Sequence, residues 1–412
     1  MTLIVGLALV ATACGTSVDG GEPLDAEPPE TSATSEAPRQ EGSTTTTSEE
    51  NAVVEDGLPS GPSALDDPRA EAFPDPLVPV EEIISGGPPP DGIPPIDDPV
   101  FLDVVDALDM LEPAEAVVAL EVNGDARAYP VRALVWHEIV NDTVGGVPVS
   151  VTYCPLCNSA ATYRREIDGV ETTFGTSGRL FASALVMYDR ATESLWTHFD
   201  GRSVVGVLTG AELESIAAPL LAWEDFAAEY PDGQVLDWNE TGFSRDYGRN
   251  PYFRYDDEDT QPFLFRGTVD DRAKAKQRVV GIHVNDDSAA YALSAIDSED
   301  ADFTATPVTV GGRDLVILWK AGQSSALEGE NVADGRDVGS VGVFASEADG
   351  QPLTFDVQDG VATDRETGST WDITGAATGG PLEGSSLERI EHLDTFWFAW
   401  STYRPETTLI EG

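Results

Sequence analysis

Part of this chain is written twice, and that constrains its fold more than any other feature. Residues Asp189 to Trp196 read DRATESLW and Asp364 to Trp371 read DRETGSTW, while GVLTGAELESI from Gly206 is answered by GPLEGSSLERI from Gly380. The register continues to Trp223 with Trp397 and Pro231 with Pro405. Upstream it sets Ala128-Tyr129 against Ala290-Tyr291, and GGVPVSVTY from Gly145 against GGRDLVILW from Gly311. Self-similarity on this scale predicts one structural unit used twice, over residues 101–240 and 279–412 as diverged copies.

Each copy carries short apolar or alternating runs rich in Val, Thr, Tyr and Phe, bounded by Gly and Asp, which is the pattern of strands closed by turns. Helices are expected over 132–140 and 218–229, the second with Leu220, Trp223, Phe226 and Ala227 on one face and Pro231 as its stop. The expected fold class is α+β, strand-dominated, made of two tandem copies of one β-rich unit. Residues 241–278 connect them as an aromatic- and arginine-rich strap, read either as a packed connection or as a binding surface presenting Arg245, Tyr247 and Arg249. Arg179, in FGTSGRLF, is a further candidate for an anionic ligand.

Ahead of the duplicated body the sequence changes character. Leu3 to Ala13 is a short apolar run ending in small residues before Cys14, and the stretch Ala11-Thr12-Ala13-Cys14 resembles a bacterial lipobox. That resemblance implies that residues 1–14 are a signal peptide with its lipobox cysteine. Cys14 would be lipidated, with the membrane as partner through that anchor and the protein on the outer face of the cytoplasmic membrane. Residues 15–98, rich in Pro, Ser, Thr and acid, offer too little apolar surface to offset chain entropy and are expected to be a disordered tether. With 74 acidic against 23 basic residues, the formal charge of −51 repels phosphate backbones, so nucleic acid is set aside as a partner.

Cysteine is scarce, and Cys154-Pro155-Leu156-Cys157 directly follows the strand-like VPVSVTY. Two thiols at this spacing can close a disulfide, exchange electrons or offer two ligands to zinc, copper or iron, with His137 and His198 the candidates to complete a metal site. A c-type haem attachment needs histidine after the second cysteine, where this chain has Asn158. The second copy has Lys320 and Gln323 opposite the cysteines and Ile373 opposite His198, so the first copy alone is expected to carry a specialised site.

The strings VWHEIVNDTVGGVPVSVTYCPLCNSA, FGTSGRLFASALVMYDRATESLWTHFDG and SRDYGRNPY, taken together and in order, resemble the bacterial family catalogued as domain of unknown function 3179. The resemblance spans residues 101–412 and implies an exported or membrane-associated protein; it brings no reaction with it. Two functions are therefore expected as rivals: a metal-binding or thiol-redox centre in the first copy, or a non-catalytic ligand-binding or scaffold module with the cysteines as a structural disulfide. No enzyme class follows from the residues themselves.

Overall fold

The computed structural model describes residues 57–298 and 301–412. The expected signal peptide, Cys14 and the tether as far as residue 56 lie outside the described residues. Among the described residues no helix is long and apolar enough to cross a membrane.

The fold is strand-dominated α+β, with several sheets and few helices. Its first sheet orders the strands Leu220–Ala222, Ala116–Val122, Asp125–Pro130, Gln234–Leu236 and Phe101–Asp103, with Gln234–Leu236 running parallel to Asp125–Pro130. A three-stranded sheet follows, Ile139–Val144, Val147–Cys154 and Ser159–Arg164. The third sheet holds Ile84–Ser85, Phe174–Phe181, Ala184–Asp189, Leu195–Thr197 and Arg202–Val205.

From Arg278 onward the elements come in a matching order. His392–Phe396, Arg278–Val284, Asp287–Ala292 and Thr408–Ile410 form one sheet, the last strand again parallel to its neighbour. Then come a three-stranded sheet, Phe303–Val310, Arg313–Lys320 and Ser340–Ala345, and a four-stranded one from Phe355 to Gly379. The hairpin turns correspond as well. Gly145 (φ 52°) and Gly311 (φ 56°) each open a two-residue turn, and a Cβ on either would stand 2.1 Å from a backbone carbonyl oxygen, of Val122 and Val284 respectively.

Four α-helices are described: α1 (Val104–Ala107), α2 (Val131–His137), α3 (Trp223–Glu229) and α4 (Trp397–Tyr403). Both expected helices are shorter than the sequence pattern indicates. α2 stops at His137 because Glu138 turns left-handed (φ 60°) and Ile139 enters the ladder opposite Thr152. α3 starts only at Trp223, since Leu220–Ala222 is held as a strand against Ala116–Val118. Burial of the apolar face, not helical propensity, sets both limits.

The structure also departs from the expectation of disorder as far as residue 98. Within 57–98, Leu58, Ala64, Ile83 and Ile96 are buried, and Ile84 pairs with Leu180 in the third sheet. These apolar residues are too sparse to make a periodic pattern, yet each finds a place in a core. The strap has no strand or helix between Thr241 and Gln277, and Tyr252, Tyr255 and Phe265 pack against the core that contains the cysteines.

Candidate functional site

The strand Val147–Cys154 ends on Cys154, and the next strand begins on its ladder partner Ser159. Between them the chain makes the expected turn: the Cys157 N–H donates to Cys154 O at 3.3 Å, and Asn158 takes a left-handed φ of 50°. Side chains alternate along a strand, so Thr152 and Cys154 share one face with their partners Ala161 and Ser159. His198, just after the strand Leu195–Thr197, packs onto that face.

A continuous hydrogen-bond chain results. Thr152 Oγ1 lies 2.6 Å from Ala161 O and 2.8 Å from His198 Nδ1; His198 Nε2 lies 3.0 Å from Ser159 Oγ, which is 3.0 Å from Cys157 Sγ. Its direction follows from counting protons. A carbonyl has none to give, so the short oxygen–oxygen contact is Thr152 donating to Ala161. Thr152 can then only accept from His198, which places the ring proton on Nδ1 and leaves Nε2 as acceptor. Ser159 donates to Nε2, so in the Cys157–Ser159 contact the thiol is the donor, with Cys154 O as its second, longer acceptor at 3.8 Å.

The site is dry: Cys154 is 1% exposed, and Cys157, Ser159 and His198 are 0% exposed. Burial holds His198 down to about 4, so the ring is neutral at ordinary pH. Burial, followed by the neighbouring Cys154, pushes the Cys157 thiol well above its usual range, with Ser159 working against that. At rest the proton therefore sits on sulfur. Cys154 Sγ accepts the Leu185 N–H at 3.4 Å, and both cysteines are free thiols, so the expected structural disulfide is not formed.

Neighbouring segments hold the turn closed. Cys157 O accepts from the Phe396 N–H at 3.1 Å and from Thr395 Oγ1 at 2.8 Å, both in the strand His392–Phe396. Asn158 Nδ2 donates to Asp394 Oδ1 at 3.3 Å, and Asp394 is paired with buried Arg278 at 2.7 Å. From the strap, Tyr255 OH donates to Leu156 O at 3.0 Å, between the two cysteines.

The four residues expected to complete a metal site are not brought together. His137 Nδ1 bonds Pro94 O at 2.7 Å and Nε2 bonds Tyr247 OH at 2.6 Å, so both ring nitrogens are committed away from the thiols. Among the described residues no group of three or more His, Cys, Asp or Glu side chains is placed to hold a metal ion. The turn of the chain at Glu138 is what separates His137 from the cysteine hairpin. Glu138 itself is buried, and burial pushes its carboxyl up to about 8.

The candidate ligand residues divide between two places. Tyr247 bonds His137 and Thr241, and Arg249 lines a cleft with Arg132 and Asn331. Arg245 lies close enough to His137 for its charge to lower that ring's pKa, after the larger effect of burial. Arg179 is elsewhere, donating to Leu65 O beside Ser85 and Ser177. Sequence reasoning passed over Thr152 and Ser159, which complete the chain to His198. Strand alternation could have found them, since each stands two residues outside a cysteine, on the same side of the hairpin.

Comparison with known proteins gives one family and nothing nearer. A family model described as Protein of unknown function (DUF3179) matches residues 90–407. No curated protein and no solved structure matches the chain. The match covers most of the sequence, and the chain belongs to the DUF3179 family of proteins of unknown function.

Proposed function

We propose that the body is a tandem pair of diverged copies, and that the first copy carries a thiol-redox centre built on Cys154 and Cys157. The observation that carries this reading is the directed chain from the Cys157 thiol through Ser159 to the neutral Nε2 of His198. It links a buried sulfur to a neutral ring nitrogen without placing a charge beside it at rest. Burial holds the ring low and the thiol high, and relief of that burial as substrate and water enter is what lets the ring act as base.

The substrate is a disulfide. Cys157 loses its proton to Ser159 as Ser159 passes its own to His198 Nε2, and the thiolate attacks one substrate sulfur. The other substrate sulfur leaves as a thiolate and is protonated. Cys154, deprotonated in turn, displaces the substrate from the mixed disulfide. Two electrons pass to the substrate, which becomes a dithiol, and the Cys154–Cys157 disulfide remains. Substrate reaches the sulfurs when Tyr255 releases Leu156 O.

The test is equilibration of the purified protein with glutathione buffers, followed by thiol counting and mass. The expected product is one intramolecular disulfide, and His198→Asn slows its formation at least tenfold, at the low end of general-base effects. Thiols that stay reduced at every glutathione ratio would overturn the proposal. So would about one equivalent of zinc, copper or iron that is lost when both cysteines become serine.

The lipobox resemblance and the acidic segment behind it support the further reading that the protein is exported and anchored through Cys14 on the outer face of the cytoplasmic membrane. Cys14→Ser should release it from the membrane fraction; unchanged retention would count against the anchor.

A further inference from the structure

A second place in the molecule has unused binding capacity, away from the cysteines. A cleft of about 530 Å³ opens between the turn after His198 and the sheet His392–Phe396/Arg278–Val284, a volume within the range of small-molecule sites. Its floor depends on Gly281, where a Cβ would stand 2.2 Å from the Trp400 ring, so only glycine lets the indole come this close to the strand.

Opposite charges face this cleft without meeting. Arg404 lines it and forms no ion pair among the described residues; its Nη1 donates to Tyr403 O, and its Nε is buried with no partner. Among the described residues Glu391 accepts only the Ser215 hydroxyl, and Asp200 only that of Thr197. At the rim, by contrast, Arg202 and Glu212 satisfy each other through paired hydrogen bonds. Burial pushes the Glu391 carboxyl up, and Arg404 lies close enough for its charge to pull against that, yet the two form no ion pair among the described residues. Charges that share a cleft without pairing are the arrangement a ligand bearing both signs would complete.

From the unpaired Arg404, Glu391 and Asp200 around this cleft, we infer that it binds a small zwitterion, a free amino acid or a short peptide, with the ligand carboxylate on Arg404 and its ammonium on Glu391 and Asp200. The inference is independent of the thiol reading, and neither depends on the other's outcome.

Calorimetric titration of the full chain tests it, with free L-amino acids and dipeptides as probes beside their N-acetyl and C-amide forms. At least one free probe should bind, with affinity at least tenfold weaker for either blocked form. Whether single amino acids or dipeptides bind best identifies the source. Arg404→Gln and Glu391→Gln should each lose tenfold or more, while Arg202→Gln at the rim should bind as the unaltered protein does. The inference is overturned if no free probe binds, if blocked forms bind equally well, or if a folded Glu391→Gln protein keeps full affinity. The blocked-ligand comparison uses unaltered protein, so it decides the question even if a variant does not fold.

Discussion

The hairpin that ends at Cys154 and the one that ends at Lys320 share a register until their last rung. In the first, Cys154 pairs with Ser159 across a turn of four residues; in the second, Lys320 pairs with Ser340 across residues 321–339. The first rung faces His198. The second faces Asp225 of α3, which accepts from both Lys320 Nζ and Ser340 Oγ, the latter at 2.9 Å. Around the first, Thr152 and His198 supply polar partners; Leu318 and Ile373, which stand opposite them in sequence, are buried and apolar. One rung thus joins a hydrogen-bond chain to His198, and the other is a tie to a distant helix.

Other pieces are nearly unchanged between the two regions. Asp189 accepts from the Ser194 N–H at 3.2 Å and the Trp196 indole N–H at 2.9 Å; Asp364 accepts from those of Ser369 and Trp371 at 3.1 and 3.0 Å. Burial is the strongest single influence on each carboxyl. It lifts Asp189 above the usual range, whereas at Asp364 the hydrogen bonds together outweigh it and hold the group below.

The comparison breaks most readily at these aspartates. Asp189→Ala and Asp364→Ala each strand a buried indole N–H together with backbone and hydroxyl donors, and each should lose about 4–5 kcal/mol in denaturant titration. Near-equal losses sharpen the equivalence, and a large loss at one site alone would break it.

A smaller effect separates the regions. His198 is held near 4, below the 6.5 of a free histidine, so the unfolded chain binds the extra proton first as pH falls. Stability should rise between about pH 4 and 6.5 by roughly 3 kcal/mol from this group and be lost on acidification. His198→Ile, which writes in the residue of the second region, should remove that increment from the difference between the two pH curves. A variant curve parallel to the original would show that folding does not lower the ring's pKa.

The smallest effect concerns the turns. Gly145→Ala and Gly311→Ala force a left-handed residue against a carbonyl and should each cost about 1–2 kcal/mol, again alike in the two regions. Thermal melts of the two variants are the check.

The sequence showed the strand-rich class and the position of the cysteines at a strand end. Those features rest on local pattern. Thr152 and Ser159 were legible only through strand alternation outward from the cysteines, and the hairpin register is what sets them on one face. His137 was grouped with the thiols because its short helix precedes the cysteine strand; one left-handed residue, Glu138, redirects the chain and gives His137 to Tyr247 instead. The packing of 57–98 was illegible because isolated apolar residues act one at a time.

The hold that Thr395 and Phe396 keep on Cys157 O has a consequence for any shortened form of this protein. A fragment ending near residue 240 would retain both sulfurs, Ser159 and His198, yet would lose every donor that the strand His392–Phe396 gives to the cysteine turn. The region without cysteines thus holds the cysteine turn in shape, and the two regions are expected to lose their structure together.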